Sequence, residues 1–148
     1  MVTTTGPRAA GLYFVDALGA ASFDSIEPLL SAEVRFRALL PSGVRECTGR
    51  IPTADYFRAW FGPIRIDRLQ PCDGKPYPFK ETTRCEVVES TVGVPVVDKV
   101  PIRYMLELQN NTGPCRCEQQ GFYTVDGEGR IATLDVVCSG ILRVPATP

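Results

Sequence analysis

The last third of the chain constrains the fold most, because residues 115–144 form two long alternating segments joined by a single turn. The turn is DGEG at residues 126–129, and its aspartate and glycines are typical of tight turns. Such a pattern predicts an antiparallel hairpin within a large sheet. The residues before position 63 predict short helices around a strand pair. We therefore expect an α+β fold, in which a curved, mostly antiparallel sheet closes over three N-terminal helices and leaves a pocket.

Three helices are predicted before residue 63 from apolar stripes at helical spacing and from capping residues. Their ranges are residues 9–20, residues 24–31, and a helix that begins near Pro52 and ends at Gly62. The aspartate and glutamate at the start of the second helix resemble a capping box. Residues 1–8 are predicted to form a flexible tail.

Alternation of apolar and polar residues predicts seven strands, separated by segments rich in glycine, proline and asparagine. The predicted strands are residues 34–40, 44–48, 64–69, 79–90, 101–109, 116–125 and 130–142. No internal repeat or linker interrupts this order. The 148 residues therefore predict a single domain over residues 1–148.

The composition excludes several classes of function. With 44% hydrophobic residues, 22% charged residues and a net charge of -1, the chain has no dense basic patch for nucleic acid. No apolar run approaches the roughly 20 residues that span a bilayer, and the N-terminal segment lacks the features of a signal peptide. We expect a cytoplasmic protein with neither a nucleic-acid nor a membrane partner.

The absence of histidine limits the possible chemistry. Imidazole bases and Ser-His-Asp triads are excluded, so acid–base chemistry would need Asp, Glu, Tyr, Cys, Arg or Lys. The six cysteines show no C-x-x-C pair and have no histidine partner, so we expect buried, inert thiols. No metal and no cofactor is expected.

Four segments resemble the nuclear-transport-factor-two-like (NTF2-like), or SnoaL-like, superfamily of cone-shaped, cystatin-like α+β barrels. They are YFVDALGAASFDSIEPLLSAEVRFRALLPSG, the pair Thr48-Gly49, YFRAWF and FYTVDGEGRIATLDVV. In the family these correspond to the helical lid, the glycine before the third helix, that helix, and the central hairpin. The resemblance covers nearly the whole chain and implies a homodimer that pairs through the outer face of the sheet.

The resemblance also implies where catalytic residues would lie. The tyrosine of steroid isomerases matches Tyr13, but the positions of their two acids fall near Ala38 and Gly121, so that reaction is not implied. In limonene-type epoxide hydrolases an Arg-x-Asp motif works with an aspartate on the last strand. The chain has Arg84-Cys-Glu86 in place of the motif, and Asp135 lies one residue before the matching position.

The candidate catalytic residues are therefore Arg84, Glu86, Tyr13 and Asp135. Arg84 and Glu86 share one face of a strand, where they form either a pocket acid–base pair or a surface ion pair. Asp135 faces the pocket, or alternatively a dimer partner or water. The candidate substrate-binding residues are Phe36, Tyr56, Trp60, Gln119, Tyr123, Leu134, Val136 and Cys138.

These residues are consistent with more than one function. The first hypothesis is a lyase, isomerase or cyclase that acts on a hydrophobic small molecule such as a polyketide or terpenoid. The alternatives are a non-catalytic ligand-binding or protein-docking module of the same fold, and a limonene-type epoxide hydrolase.

Overall fold

The computed structural model describes residues 6–62, 82–110 and 113–145. Within them two α-helices precede most of a seven-stranded sheet. The helices are α1 (Pro7–Gly19) and α2 (Arg50–Phe61). The strands are β1 (Leu30–Leu40), β2 (Gly43–Thr48), β3 (Thr82–Val92), β4 (Val100–Asn110), β5 (Gly113–Val125), β6 (Ile131–Cys138) and β7 (Leu142–Arg143).

The sheet has the strand order β2-β1-β6-β5-β4-β3, and the short β7 pairs with β5. All neighbouring strands are antiparallel except β1 and β6, which run parallel. The sheet is curved, and the predicted α+β class with a mostly antiparallel sheet over N-terminal helices is confirmed. The hairpin of β5 and β6 follows the predicted turn, where the Asp126 N–H donates to the Arg130 carbonyl oxygen over 2.8 Å.

The predicted second helix, residues 24–31, is wrong. Two short 3-10 turns, Phe23–Ser25 and Glu27–Leu29, occupy most of this range, and β1 already begins at Leu30. Pro28 lacks the N–H that a longer helix would need. Leu30 is fully buried and pairs with Ile131 of β6. Pairing with a strand that is distant in sequence therefore outweighs the local preference for a helix.

Predicted boundaries of two further elements also differ. Helix α1 begins at Pro7, within the predicted tail, because proline suits the first helical turn. Strand β6 ends at Cys138, and the chain turns at Gly140 with φ of 80° before β7. The predicted strand at residues 64–69 and the first residues of the predicted strand at 79–90 lie outside the described residues.

Helices α1 and α2 cover one face of the sheet, which we call the inner face. Its core is a cluster of aromatic rings from both helices and β1, with neighbouring centroids 5.1 to 6.0 Å apart. These rings are Phe14, Phe36, Tyr56, Phe57 and Trp60, each at most 5% exposed. Edge-to-face and tilted contacts at these separations stabilise an aromatic cluster beyond simple burial.

Candidate functional site

A row of three polar side chains crosses the inner face within otherwise apolar surroundings. Tyr104 of β4 lies opposite Gln119 of β5, which lies opposite Cys138 of β6. The Tyr104 hydroxyl donates to the Gln119 Oε1, and the Gln119 Nε2 donates to the Cys138 Sγ over 3.3 Å. All three residues are buried. We call Tyr104, Gln119 and Cys138 the inner polar strip.

The strip ends at a pair of thiols. The Cys138 Sγ lies 3.5 Å from the Cys117 Sγ and accepts the Gly140 N–H over 3.4 Å. The thiol–thiol hydrogen bond lowers the pKa of Cys138, and the bonds from Gln119 and Gly140 act in the same direction. The same thiol–thiol bond, together with burial, raises the pKa of Cys117. Because Gln119 and Gly140 both donate to Cys138, its sulfur is the better placed of the two to carry a negative charge.

Five of the eight predicted substrate-binding residues belong to the same hydrophobic core cluster as Tyr104 and Cys138, and we call these five the apolar wall. They are the buried Phe36, Tyr56, Trp60, Leu134 and Val136. Two more, Gln119 and Cys138, belong to the strip itself. These seven residues all lie on the inner side of the sheet.

Tyr123, the eighth, has a different partner. Its hydroxyl donates to the Pro7 carbonyl oxygen over 2.6 Å and accepts the Gly11 N–H over 3.0 Å. The side chain is fully buried against α1. The predicted orientation of Tyr123 toward a substrate is therefore corrected, because both hydrogen bonds of its hydroxyl hold the helix.

The predicted acid–base pair, Arg84 and Glu86, lies on the outer face of the sheet. Their neighbours Cys85 and Val87 face inward opposite leucines of β4, so alternation turns Arg84 and Glu86 outward. The two side chains form an ion pair of 2.9 Å and are 70% and 43% exposed. The interior position predicted for this pair is corrected, and the surface-pair alternative describes its geometry.

Asp135 also lies on the outer face, because Leu134 and Val136 on either side of it are buried inward. Its Oδ1 accepts the Arg37 Nε over 3.0 Å. The pocket alternative for Asp135 is therefore corrected, and the alternative of an outward orientation describes its position. Strands β5 and β4 lie between β6 and β3, which are therefore roughly 14 Å apart at about 4.8 Å per step. The registers also place Asp135 level with Pro101 of β4 and Arg84 level with Gln109, at different positions along the strands. The residues of an Arg/Glu/Asp epoxide hydrolase set are therefore not brought together.

Tyr13, predicted as a hydrogen-bond donor to a substrate, is half-exposed on α1. The buried side of that helix carries Phe14, Val15 and Leu18 instead. Helical geometry turns position 13 away from the sheet because the inward stripe falls on its neighbours. Tyr13 is thus separated from the inner polar strip, and its predicted role as a donor to a substrate at the inner face is corrected.

A groove of about 830 Å³ runs along the outer face. Its apolar lining includes four side chains that are 43 to 53% exposed, and Arg37 and Asp135 also line it. The four are Leu39, Val44, Phe122 and Val137. We call this surface the outer groove. Apolar residues at the outward positions of β1, β5 and β6 were the sequence signal that could have revealed it.

Charged groups of the interior are few among the residues that the structure describes. Among the described residues, the buried side chains include one carboxylate, that of Asp55 in α2, and its Oδ1 accepts an Arg58 N–H over 2.7 Å.

No cluster of three or more metal-binding side chains occurs in residues 6–62, 82–110 and 113–145. In the same residues, neither helix has the length and apolarity needed to cross a membrane.

Comparison with known proteins gives matches at the level of structure. No family model and no curated protein sequence matches the chain. The structure is similar to an LEH-like epoxide hydrolase of M. tuberculosis, with 18% identity, a TM-score of 0.58, and coverage of 90% of this chain and 82% of that one. It is also similar to an NTF2-like protein of unknown function from Exiguobacterium, with 15% identity, a TM-score of 0.59, and coverage of 88% and 98%.

A third similar structure is the Delta 5-3-ketosteroid isomerase of a Mycobacterium species, with 15% identity, a TM-score of 0.57, and coverage of 89% and 92%. Proteins with these names share one architecture, although their printed activities differ. The likeness at such low identity concerns the fold. The chain therefore has the NTF2-like α+β fold.

Proposed function

We propose that the chain binds a hydrophobic small molecule against its inner face and that the inner polar strip supplies the recognition. One observation carries this proposal: an aromatic and aliphatic interior contains a hydrogen-bonded row of three polar side chains, Tyr104–Gln119–Cys138. Ligand sites typically combine apolar walls with a few placed polar groups. This arrangement suits an apolar molecule that carries one carbonyl or hydroxyl group.

The ionisable side chains in the described part of the interior favour ligand binding over acid–base catalysis. Asp55, its buried carboxylate, is held by an ion pair with Arg58, and the ion pair of Arg84 with Glu86 lies on the outer face. Burial, followed by the neighbouring thiols, raises the pKa of Tyr104, so its hydroxyl stays protonated. Such a hydroxyl is a hydrogen-bond donor, here to the Gln119 Oε1, and it is not a base at neutral pH.

Native mass spectrometry of the purified protein tests this proposal. We expect a co-purified small molecule on wild type that is lost in Gln119→Met, which keeps the side-chain length but removes the amide. Gln120→Met is the matched control, because the adjacent side chain is exposed on the opposite face. Equal ligand occupancy in the two variants, or no ligand in wild type after incubation with a hydrophobic extract, would contradict the proposal.

A second copy of the chain is the partner that we propose for the outer groove. Its four half-exposed apolar side chains form the kind of patch that subunit interfaces cover. Sedimentation velocity should show a dimer for wild type and for Val94→Asp, and a monomer for Val137→Asp. Val94 is 75% exposed on the β3–β4 connection and serves as the control. A monomeric wild type would exclude the dimer.

The second candidate function is catalysis of a lyase, isomerase or cyclase reaction on a polyketide or terpenoid. The lowered pKa of Cys138 favours it, because a thiolate beside the apolar wall can act as a base or a nucleophile. Conversion of the co-purified ligand by wild type, with binding but no conversion by Cys138→Ala, would support catalysis. If wild type binds the ligand but does not convert it, only the binding function is supported.

A further inference from the structure

Cys117 and Cys138 lie side by side on the inner face. Gln119 pairs with Cys138 across β5 and β6, and Cys117 precedes Gln119 by two residues on the same side of β5. Both thiols therefore face inward from neighbouring strands. Their sulfurs are 3.5 Å apart, and a disulfide requires about 2.05 Å. A shift of about 1.5 Å would therefore close the bond.

The two thiols have unequal surroundings. Cys138 accepts hydrogen bonds from the Gln119 amide and the Gly140 N–H, and it shares a thiol–thiol hydrogen bond with Cys117. Hydrogen bonds donated to a sulfur stabilise its thiolate form. Cys138 is thus the nucleophilic partner by geometry, and the thiolate is the reactive form of cysteine.

The position of Cys138 also suits a small oxidant. It is the last residue of β6 and is 6% exposed, and partly exposed Ser139 and Gly140 follow it where the chain leaves the sheet. Cys117 lies within β5 and is 1% exposed. A molecule of the size of hydrogen peroxide therefore meets Cys138 before Cys117.

We propose that Cys138 is a peroxide-reactive cysteine and that Cys117 is its resolving partner. The Cys138 thiolate attacks one peroxide oxygen, the O–O bond breaks, and the leaving oxygen takes a proton to form water or an alcohol. Cys138 is then a sulfenic acid. The Cys117 sulfur gives up its proton and attacks the Cys138 sulfur, the S–O bond breaks, and hydroxide leaves as water. The thiol pair loses two electrons and the peroxide gains them.

The disulfide would change the inner polar strip. A bonded Cys138 sulfur is a poorer acceptor than a thiolate, so the Gln119 amide loses its present partner. The bond would also join the end of β6 to β5 where the pairing of these strands ends. The inference rests on the thiol geometry and holds whether or not the inner face binds a small molecule.

Peptide mapping tests the proposal directly in the wild-type chain. Trypsin places Cys117 alone on the peptide of residues 117–130 and Cys138 alone on the peptide of residues 131–143. After treatment of the reduced protein with hydrogen peroxide and alkylation of the remaining thiols, we expect these two peptides as one disulfide-linked species. Cys115 is on the separate peptide of residues 104–116, so a different pairing would be distinguished.

Variants identify the attacking thiol. We expect Cys117→Ser to lose the crosslink and to accumulate a sulfenic acid on Cys138 that dimedone traps. Cys138→Ser should lose the crosslink and leave Cys117 unmodified. Cys85→Ser is the control. Burial, followed by the charge of Glu86, raises the pKa of Cys85 to about 12, so this thiol stays protonated and does not react with the peroxide. The variant should therefore form the crosslink at the wild-type rate.

The wild-type experiment remains decisive if a variant fails to fold. Absence of the peptide 117–130 to 131–143 species in oxidised wild type would overturn the proposal. Dimedone labelling of Cys85 or Cys115 at the rate of Cys138 would also overturn it, because the reaction would then lack selectivity for the pair.

Discussion

The Tyr123 hydroxyl accepts the backbone N–H of Gly11 at 3.0 Å, and it donates to the Pro7 carbonyl oxygen at 2.6 Å. It thereby contacts the N–H and the carbonyl of an i to i−4 pair in the first turn of α1. A Cβ on residue 11 would lie 2.5 Å from this hydroxyl. Glycine at position 11 and tyrosine at position 123 therefore depend on each other, although 112 residues separate them.

Gly11→Ala should lower the free energy of unfolding, although alanine is favoured over glycine by about 1 kcal/mol within helices. The new methyl group would contact a fully buried ring that cannot move aside. Gly19→Ala, in the same helix, is the control, because its Cβ would meet Val87 at an ordinary 3.7 Å. Urea denaturation should show opposite signs for the two variants, and equal stabilisation of both would contradict the proposed contact.

Arg58→Met should destabilise the protein by about 3 kcal/mol. The Arg58 guanidinium pairs with Asp55 and Asp24 at 2.7 Å and with Glu27 at 2.8 Å, and its loss leaves the buried Asp55 carboxylate without this cation. Asp24→Asn is the control with an expected cost below about 1 kcal/mol, because the Asp24 side chain is 98% exposed. Chemical denaturation would measure both, and similar costs would show that burial of Asp55 is not the cause.

Gly121→Ala should prevent stable folding or reduce stability by several kcal/mol. A Cβ there would lie 1.8 Å from the Asp135 carbonyl oxygen and 2.8 Å from the Val136 Cα, both backbone atoms of β6. Backbone cannot yield as a flexible side chain can, so the central strand pair would separate. Gly127→Ala, with nothing within 4 Å of the new Cβ, should retain wild-type thermal stability. A folded Gly121→Ala with unchanged melting temperature would refute the close approach.

Val97→Gly should stabilise the protein by about 1 kcal/mol. Val97 and Asp98 form the two-residue turn between the bridged Val96 and Lys99, and Val97 has a φ of 60°. A β-branched residue is strained there, whereas hairpin turns favour glycine at positions of positive φ. Val94→Gly, also exposed but outside the left-handed region, should not gain stability. Thermal denaturation compares the two variants, and a lower melting temperature for Val97→Gly would contradict the expectation.

Asp126→Asn should reduce stability near neutral pH, and its difference from wild type should vanish in acid. The Asp126 Oδ1 accepts the N–H groups of Arg130 and Glu128, and these bonds, that of Arg130 first, lower the pKa of Asp126 below 3.8. A lowered pKa in the folded state contributes stability above the unfolded pKa, and this contribution is lost as pH falls through the folded value. Melting curves from neutral pH to strong acid would measure the difference, and a constant gap would exclude the charge as its source.

The hairpin of β5 and β6 was predictable because its turn chemistry is local. The Asp126 side chain and Gly129, with φ of 78°, specify that turn whatever the rest of the fold does. The structure of residues 24–31, where a helix was wrongly predicted, was not predictable in the same way. Its capping pattern was present, but the pairing of Leu30 with Ile131 took the last residues into a strand.

The candidate site shows the same division between local and distant information. Alternation placed Arg84 and Glu86 on one face, but only the register of β3 with β4 decides that this face is the outer one. The inner polar strip needs the registers of β4, β5 and β6 at once. Tyr104 and Cys117 were therefore not recognised as members of a site, although Gln119 and Cys138 were.

The parallel pairing of β1 with β6 has a consequence for biosynthesis. Arg37 and Asp135, which meet across these strands, are 98 positions apart in the chain. During translation the N-terminal hairpin of β1 and β2 therefore emerges long before its other neighbour exists, and its unsatisfied edge is open to wrong associations. A nascent chain released before β6 is made would keep that edge bare, so we expect C-terminal truncations to require chaperones or to aggregate.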